Sequence, residues 1–87
     1  MRITLNKSEA RALNRLRGLP ERAHFLLMCA QATETGMALD GTKAAFDELV
    51  DFLIEELDEG MAPVGDRAVL ASIAGRIDPK CLRGLGF

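Results

Sequence analysis

The side chains able to do chemistry in this 87-residue chain are few and scattered. His24 is the sole histidine, and it stands between Ala23 and Phe25 at the head of an apolar run. That setting predicts a partly buried structural residue, and no nucleophile stands near it for a general base to activate. Cys29 and Cys81 are two isolated thiols. With His24 they lack the close paired spacing of a zinc site, so no metal is expected. The glycines at 18, 36, 41, 60, 65, 75, 84 and 86 form no phosphate-cradling loop and read as helix stops and loop points. No catalytic set is legible, no cofactor is implied, and the chain is expected not to be an enzyme.

Charge is better organised than chemistry. Between Thr42 and Glu59 the acidic residues Asp47, Glu48, Asp51, Glu55, Asp58 and Glu59 share one side of a helical wheel with no basic residue among them. Like charges four apart repel by roughly 0.2–0.5 kcal/mol per pair, and acidic groups oppose the dipole at a helix C-terminus. Asp47, Asp51, Glu55 and Asp58 are therefore candidates to dock a basic partner, against the simpler reading of a solvated face. Carboxylates on a helix lack the loop carbonyls and turn glycine of a calcium motif. Lys7, Arg11 and Arg15 form an opposite row at four-residue spacing. That basic face could touch phosphates, which keeps a small nucleic-acid-binding regulator as the alternative function. The Arg17-Gly18-Leu19-Pro20 connection gives helices one and two the length of a helix-turn-helix, but Arg22, His24, Gln31 and Thr33 are too dispersed among hydrophobes to read bases. Arg67, Ser72 and Arg76 make a better reader on the fourth helix, which follows the most acidic segment. The net charge of −2 conceals this segregation: residues 1–33 carry six basic and two acidic groups, 34–60 one and nine, and 61–87 four and two.

These faces require helices to present them. From Phe46, roughly 100° per residue places Leu49, Val50, Phe52, Leu53, Ile54 and Leu57 on an arc about 200° wide, so this central helix should touch at least two other elements. Asp40 followed by Gly41 and Thr42 is its start signal and Gly60 its stop. Upstream, Ile3-Thr4-Leu5 alternates as a strand, and Asn6 with Glu9 has capping-box spacing for a helix from about Lys7 to Arg17, closed by Gly18. Leu19 and Pro20 start a second helix expected to reach about Thr35, with Phe25, Leu26, Leu27, Met28, Cys29, Ala30 and Ala32 facing nearly every direction. Met37-Ala38-Leu39 before Asp40 echoes Ile3-Thr4-Leu5 before Asn6, which suggests a two-stranded ribbon. Asp66 should cap a fourth helix to about Ile77, with Val69, Leu70, Ile73, Ala74 and Ile77 inward. Asp78 and Pro79 should start a last short turn through Cys81 and Leu82.

The expected fold is mostly α, a four- to five-helix domain over residues 1–87 with a short β ribbon at 3–5 and 37–39 and a flexible tail at about 84–87. Four aromatic residues, all Phe, suit close-packed helices better than a sheet. Two helices with such broad apolar faces are hard to cover in a chain this small. A homodimer is therefore expected, joined through Phe25, Met28 and Phe52. No apolar run reaches about 18 residues, and Arg2, Thr4, Asn6 and Lys7 do not make a signal-peptide core. The expectation is a cytoplasmic protein with no membrane contact and reduced cysteines, acting as a self-associating protein-interaction module.

Overall fold

The computed structural model describes residues 1–60 and 64–80. The elements run β1 (Arg2–Asn6), α1 (Lys7–Asn14), α2 (Glu21–Met28), β2 (Gln31–Thr33), β3 (Gly36–Asp40), α3 (Lys43–Asp58), one turn of 3₁₀ helix (Val64–Asp66) and α4 (Arg67–Ile77). The architecture is mostly helical, but it is mixed α/β, with a three-stranded antiparallel sheet in the order β1-β3-β2. Among the described residues four α-helices form, within the expected four to five, and the expected two-stranded ribbon is extended to three strands.

The ribbon itself forms within the chain, in antiparallel register Ile3↔Leu39, Thr4↔Ala38, Leu5↔Met37. Residues opposite one another share a face, so Ile3, Leu5, Met37 and Leu39 line the core side. On the other side Arg2, Thr4, Gln31, Thr33 and Asp40 are exposed. The third strand is the correction. Helix two does not reach Thr35; it ends at Met28, and Gln31–Thr33 folds back on β3 with the pairing Ala32↔Met37 through the two-residue turn Glu34-Thr35. Neither turn residue has positive φ. The hairpin thus lacks the Asn-Gly or Asp-Gly signature by which such turns are recognised in a sequence. At Gly36 the close approach of strands is absolute: an added Cβ would lie 2.6 Å from the Asn6 carbonyl carbon and overlap the Leu5 carbonyl oxygen.

Helix starts follow local chemistry. In α1 the Asn6 side chain accepts from the Glu9 N–H at 2.9 Å, and Glu9 Oε1 accepts from the Asn6 N–H at 2.9 Å, the capping box its spacing predicts. Helix α1 stops at Asn14, short of the expected Arg17, and Gly18 takes φ 76° in the connection to α2. In α3 the N-cap is Thr42, whose Oγ1 accepts from the Ala45 N–H at 3.2 Å; Asp40 belongs to β3. Gly60 at φ 71° follows the C-terminus of α3 in the left-handed conformation, and Arg67 donates to the Leu57 carbonyl there at 2.9 Å.

The core sits around α3, which packs against α2 and α4, while α1 packs on the sheet and α4. Phe46, Leu49, Leu53 and Leu57 are buried with Leu70, Ile73 and Ala74 of α4 and Leu5, Leu13 and Leu39. Each large side chain contributes on the order of 1.5–3 kcal/mol. The broad apolar arc of α3 is thus covered by two neighbours from its own chain. The expected turn at Cys81 and Leu82 and the tail at 84–87 lie outside the described residues.

Candidate functional site

Helix α3 carries its carboxylates outward because α2 and α4 pack on its apolar arc, burying Phe46, Leu49, Val50, Leu53 and Leu57. Asp47, Asp51, Glu55 and Asp58 are all exposed, as is Glu59. Two shallow hollows flank the row. One, of about 550 Å³, lies between Lys43, Asp47, Asp51 and the end of α4 at Ile77 and Asp78. The other, of about 230 Å³, is bounded by Pro20, Glu48, Asp51, Phe52 and Glu55. Glu48 is half-buried there, and its Oε2 is shielded without a hydrogen-bond partner.

No cation of the described residues pairs with this face. The two ion pairs among those residues are Arg15–Asp66 and Arg76–Glu9. Arg15 donates from Nε to Asp66 Oδ2 at 2.8 Å and from a terminal nitrogen to Oδ1 at 2.5 Å, a bidentate contact across 51 residues. These hydrogen bonds hold the Asp66 carboxyl below its ordinary value and the Arg15 guanidinium above its own; partial burial opposes both shifts, and the mutual attraction of the charges adds to them. Arg76 reaches Glu9 Oε2 at 2.6 Å and the Thr4 carbonyl at 2.9 Å. It thereby ties α4 to the capping box of α1 and to the outer edge of β1.

The basic row is divided by these contacts. Lys7 and Arg11 stand exposed on α1, whereas Arg15 is engaged by Asp66 and not by the acidic stripe. On α4, Arg67 and Arg76 are both committed to intrachain bonds, although Arg76 is exposed, as is Ser72.

The residues assigned to self-association fall in two places. Phe25 and Met28, three apart on α2, are 65% and 69% exposed. Phe52 is half-buried on α3 against the core, beside Glu48. Phe25 also lines a groove of about 450 Å³ between α2 and the β3–α3 corner, with Leu26, Cys29 and Ala45. Burial of helix two on most sides is not what forms: only Ala23 and Leu26 are buried, because the helix is two turns long and α3 covers one face. His24 is exposed, contrary to its expected partial burial, in a hollow with Asn14, Leu16, Arg17 and Leu27 that holds no carboxylate. Cys29 is an exposed free thiol at the C-cap of α2. Among the described residues no group of three or more His, Cys, Asp or Glu is placed to hold a metal ion. No described helix is long and apolar enough to cross a membrane.

Sequence reasoning missed the groove because both of its walls depend on the hairpin that ends α2. It also missed Asp66 and Glu9 as ion-pair partners, although an arginine row and two cap residues were visible as separate signals. The fold and its faces define a small mixed α/β domain with one acidic helix face and one exposed apolar helix face. Comparison of the chain with protein-family models, curated proteins and solved structures gave no match.

Proposed function

We propose that this chain is a small cytoplasmic protein-interaction module that self-associates through α2 and presents the outer face of α3 to a basic partner. Its support is the row Asp47, Asp51, Glu55 and Asp58, exposed along successive turns of α3 with no ion-pairing cation among the described residues. Such a row raises local negative potential and favours a cationic protein surface or peptide over a neutral one.

The test is titration of a Lys/Arg-rich peptide against the wild type, against Asp51→Lys with Glu55→Lys, and against a control with the same charge change placed on exposed residues elsewhere, Gln31→Lys, Glu34→Lys and Ser72→Lys. The expected outcome is salt-sensitive binding that the α3 variant weakens by about tenfold or more and the control weakens far less. Equal losses in both variants would reduce the face to a solvated surface that attracts cations through net charge alone.

A second reading, a nucleic-acid-binding regulator, keeps the exposed Lys7 and Arg11 on α1 ahead of the Gly18 turn. Arg15 is engaged elsewhere, so two cations remain where the sequence offers three. Duplex DNA or RNA that shifts with the wild type and not with Lys7→Ala and Arg11→Ala would favour this reading.

A further inference from the structure

We propose that two copies of this chain dock through the groove between α2 and the β3–α3 corner, with Phe25 of each copy seated in the groove of the other. This rests on the self-association in the function proposed above and names its surface and contacts. The groove has an apolar floor, Leu26 and Ala45, and Phe25 stands at its lip with most of its ring in solvent. A dry cavity of about 150 Å³ accepts a benzene ring, so a groove of about 450 Å³ has room for a phenyl group. Knob and hole therefore belong to one patch, which is the requirement of an isologous contact.

Charge supports a second copy, with its exposed Phe25, as the occupant. Glu21 and Arg22 line the groove from α2 and Asp40 lines it from the end of β3, and none of the three makes an ion pair among the described residues. A twofold axis through the groove sets Arg22 of one copy against Asp40 of the other, and the reverse, so both charges are answered at once. A purely basic partner would answer Glu21 and Asp40 but repel Arg22, and an acidic one would answer Arg22 alone, whereas a second copy brings both signs.

The test is the solution mass of the full chain by light scattering and equilibrium sedimentation over a range of concentrations. The wild type is expected to dimerise. Phe25→Ser, Arg22→Asp and Asp40→Arg should each raise the dimer dissociation constant by about tenfold or more. The double exchange Arg22→Asp with Asp40→Arg should restore it, since the pair is then reversed across the axis. Far-UV circular dichroism checks that each variant folds; the three side chains are exposed, so it should be unchanged. A dimer indifferent to the single charge changes, or not rescued by the exchange, would overturn this docking and leave self-association standing at another surface. A wild type monomeric at every concentration would overturn self-association as well, while the acidic face of α3 keeps its own test.

Discussion

Asp66 shows how one side chain can leave the role its position suggests. It precedes α4 at the N-cap, but its carboxylate makes no cap hydrogen bond and turns to Arg15 instead. Its charge still favours the positive end of the α4 dipole. The lowered pKa of Asp66 in the folded chain makes its contribution fully present above the ordinary aspartate range, and that contribution is lost as pH falls below about 4 and through the lowered value. Urea unfolding at a series of pH values should therefore show the wild type more stable than Asp66→Asn at neutral pH, with the gap closing in acid. A gap that stays constant over the whole range would mean that Asp66 acts through packing alone. Arg15→Lys should not substitute, because a lysine cannot make the paired donation to both carboxylate oxygens. At this scale, Asn6 with Glu9 was legible because the two residues of a capping box stand only three positions apart. The Arg15–Asp66 and Arg76–Glu9 pairs were not, because each joins residues more than 50 apart in the chain.

Among the elements, α3 and α4 were readable from period and punctuation. Their apolar spacing, Gly60 and Asp66 mark ends that lie within about two residues of those observed. The start of α3 separates two candidate caps, since Asp40, Gly41 and Thr42 all precede it. Thr42→Ala should cost about 1 kcal/mol by removing the acceptor for the Ala45 N–H, whereas Asp40→Ala should leave the helix start unaffected. Thermal unfolding of the two variants distinguishes them, and a larger loss for Asp40→Ala would return the cap to that residue. Helix α2 was misread for a physical reason. The run from Phe25 to Ala32 is apolar in nearly every direction, which fits a buried helix and a helix followed by an edge strand equally well. What decides is β3: its free edge accepts Gln31–Thr33, and that pairing is long-range information no local window contains.

For the molecule as a whole, the segregation of charge has an energetic consequence. With Asp47, Asp51 and Glu55 four residues apart and without an ion pair among the described residues, the wild type should gain stability as salt rises from low concentration. Asp51→Lys turns both four-residue contacts from repulsive to attractive and should stabilise the fold by about 1 kcal/mol at low salt, a difference that fades at high salt. Guanidinium chloride would mask the effect, so urea is the denaturant to use. No gain from Asp51→Lys would mean that the row is already neutralised by a cation. If the same substitution also weakens capture of a basic peptide, the row is held for binding at a cost in stability. The sequence by itself determined the helical periods of α3 and α4, the capping box of α1, the β1–β3 pair and the acidic and basic faces. These are set by residues a few positions apart or by composition, apart from the strand pair, which was visible as an echo of the same pattern. Only the tertiary structure decided that α2 stops at Met28, that a third strand closes the sheet, that Arg15 and Arg76 pair with Asp66 and Glu9, and that Phe25 and Met28 stay exposed, Phe25 beside a groove. Each of these depends on which distant surfaces meet, and burial, register and ion pairing are properties of that meeting.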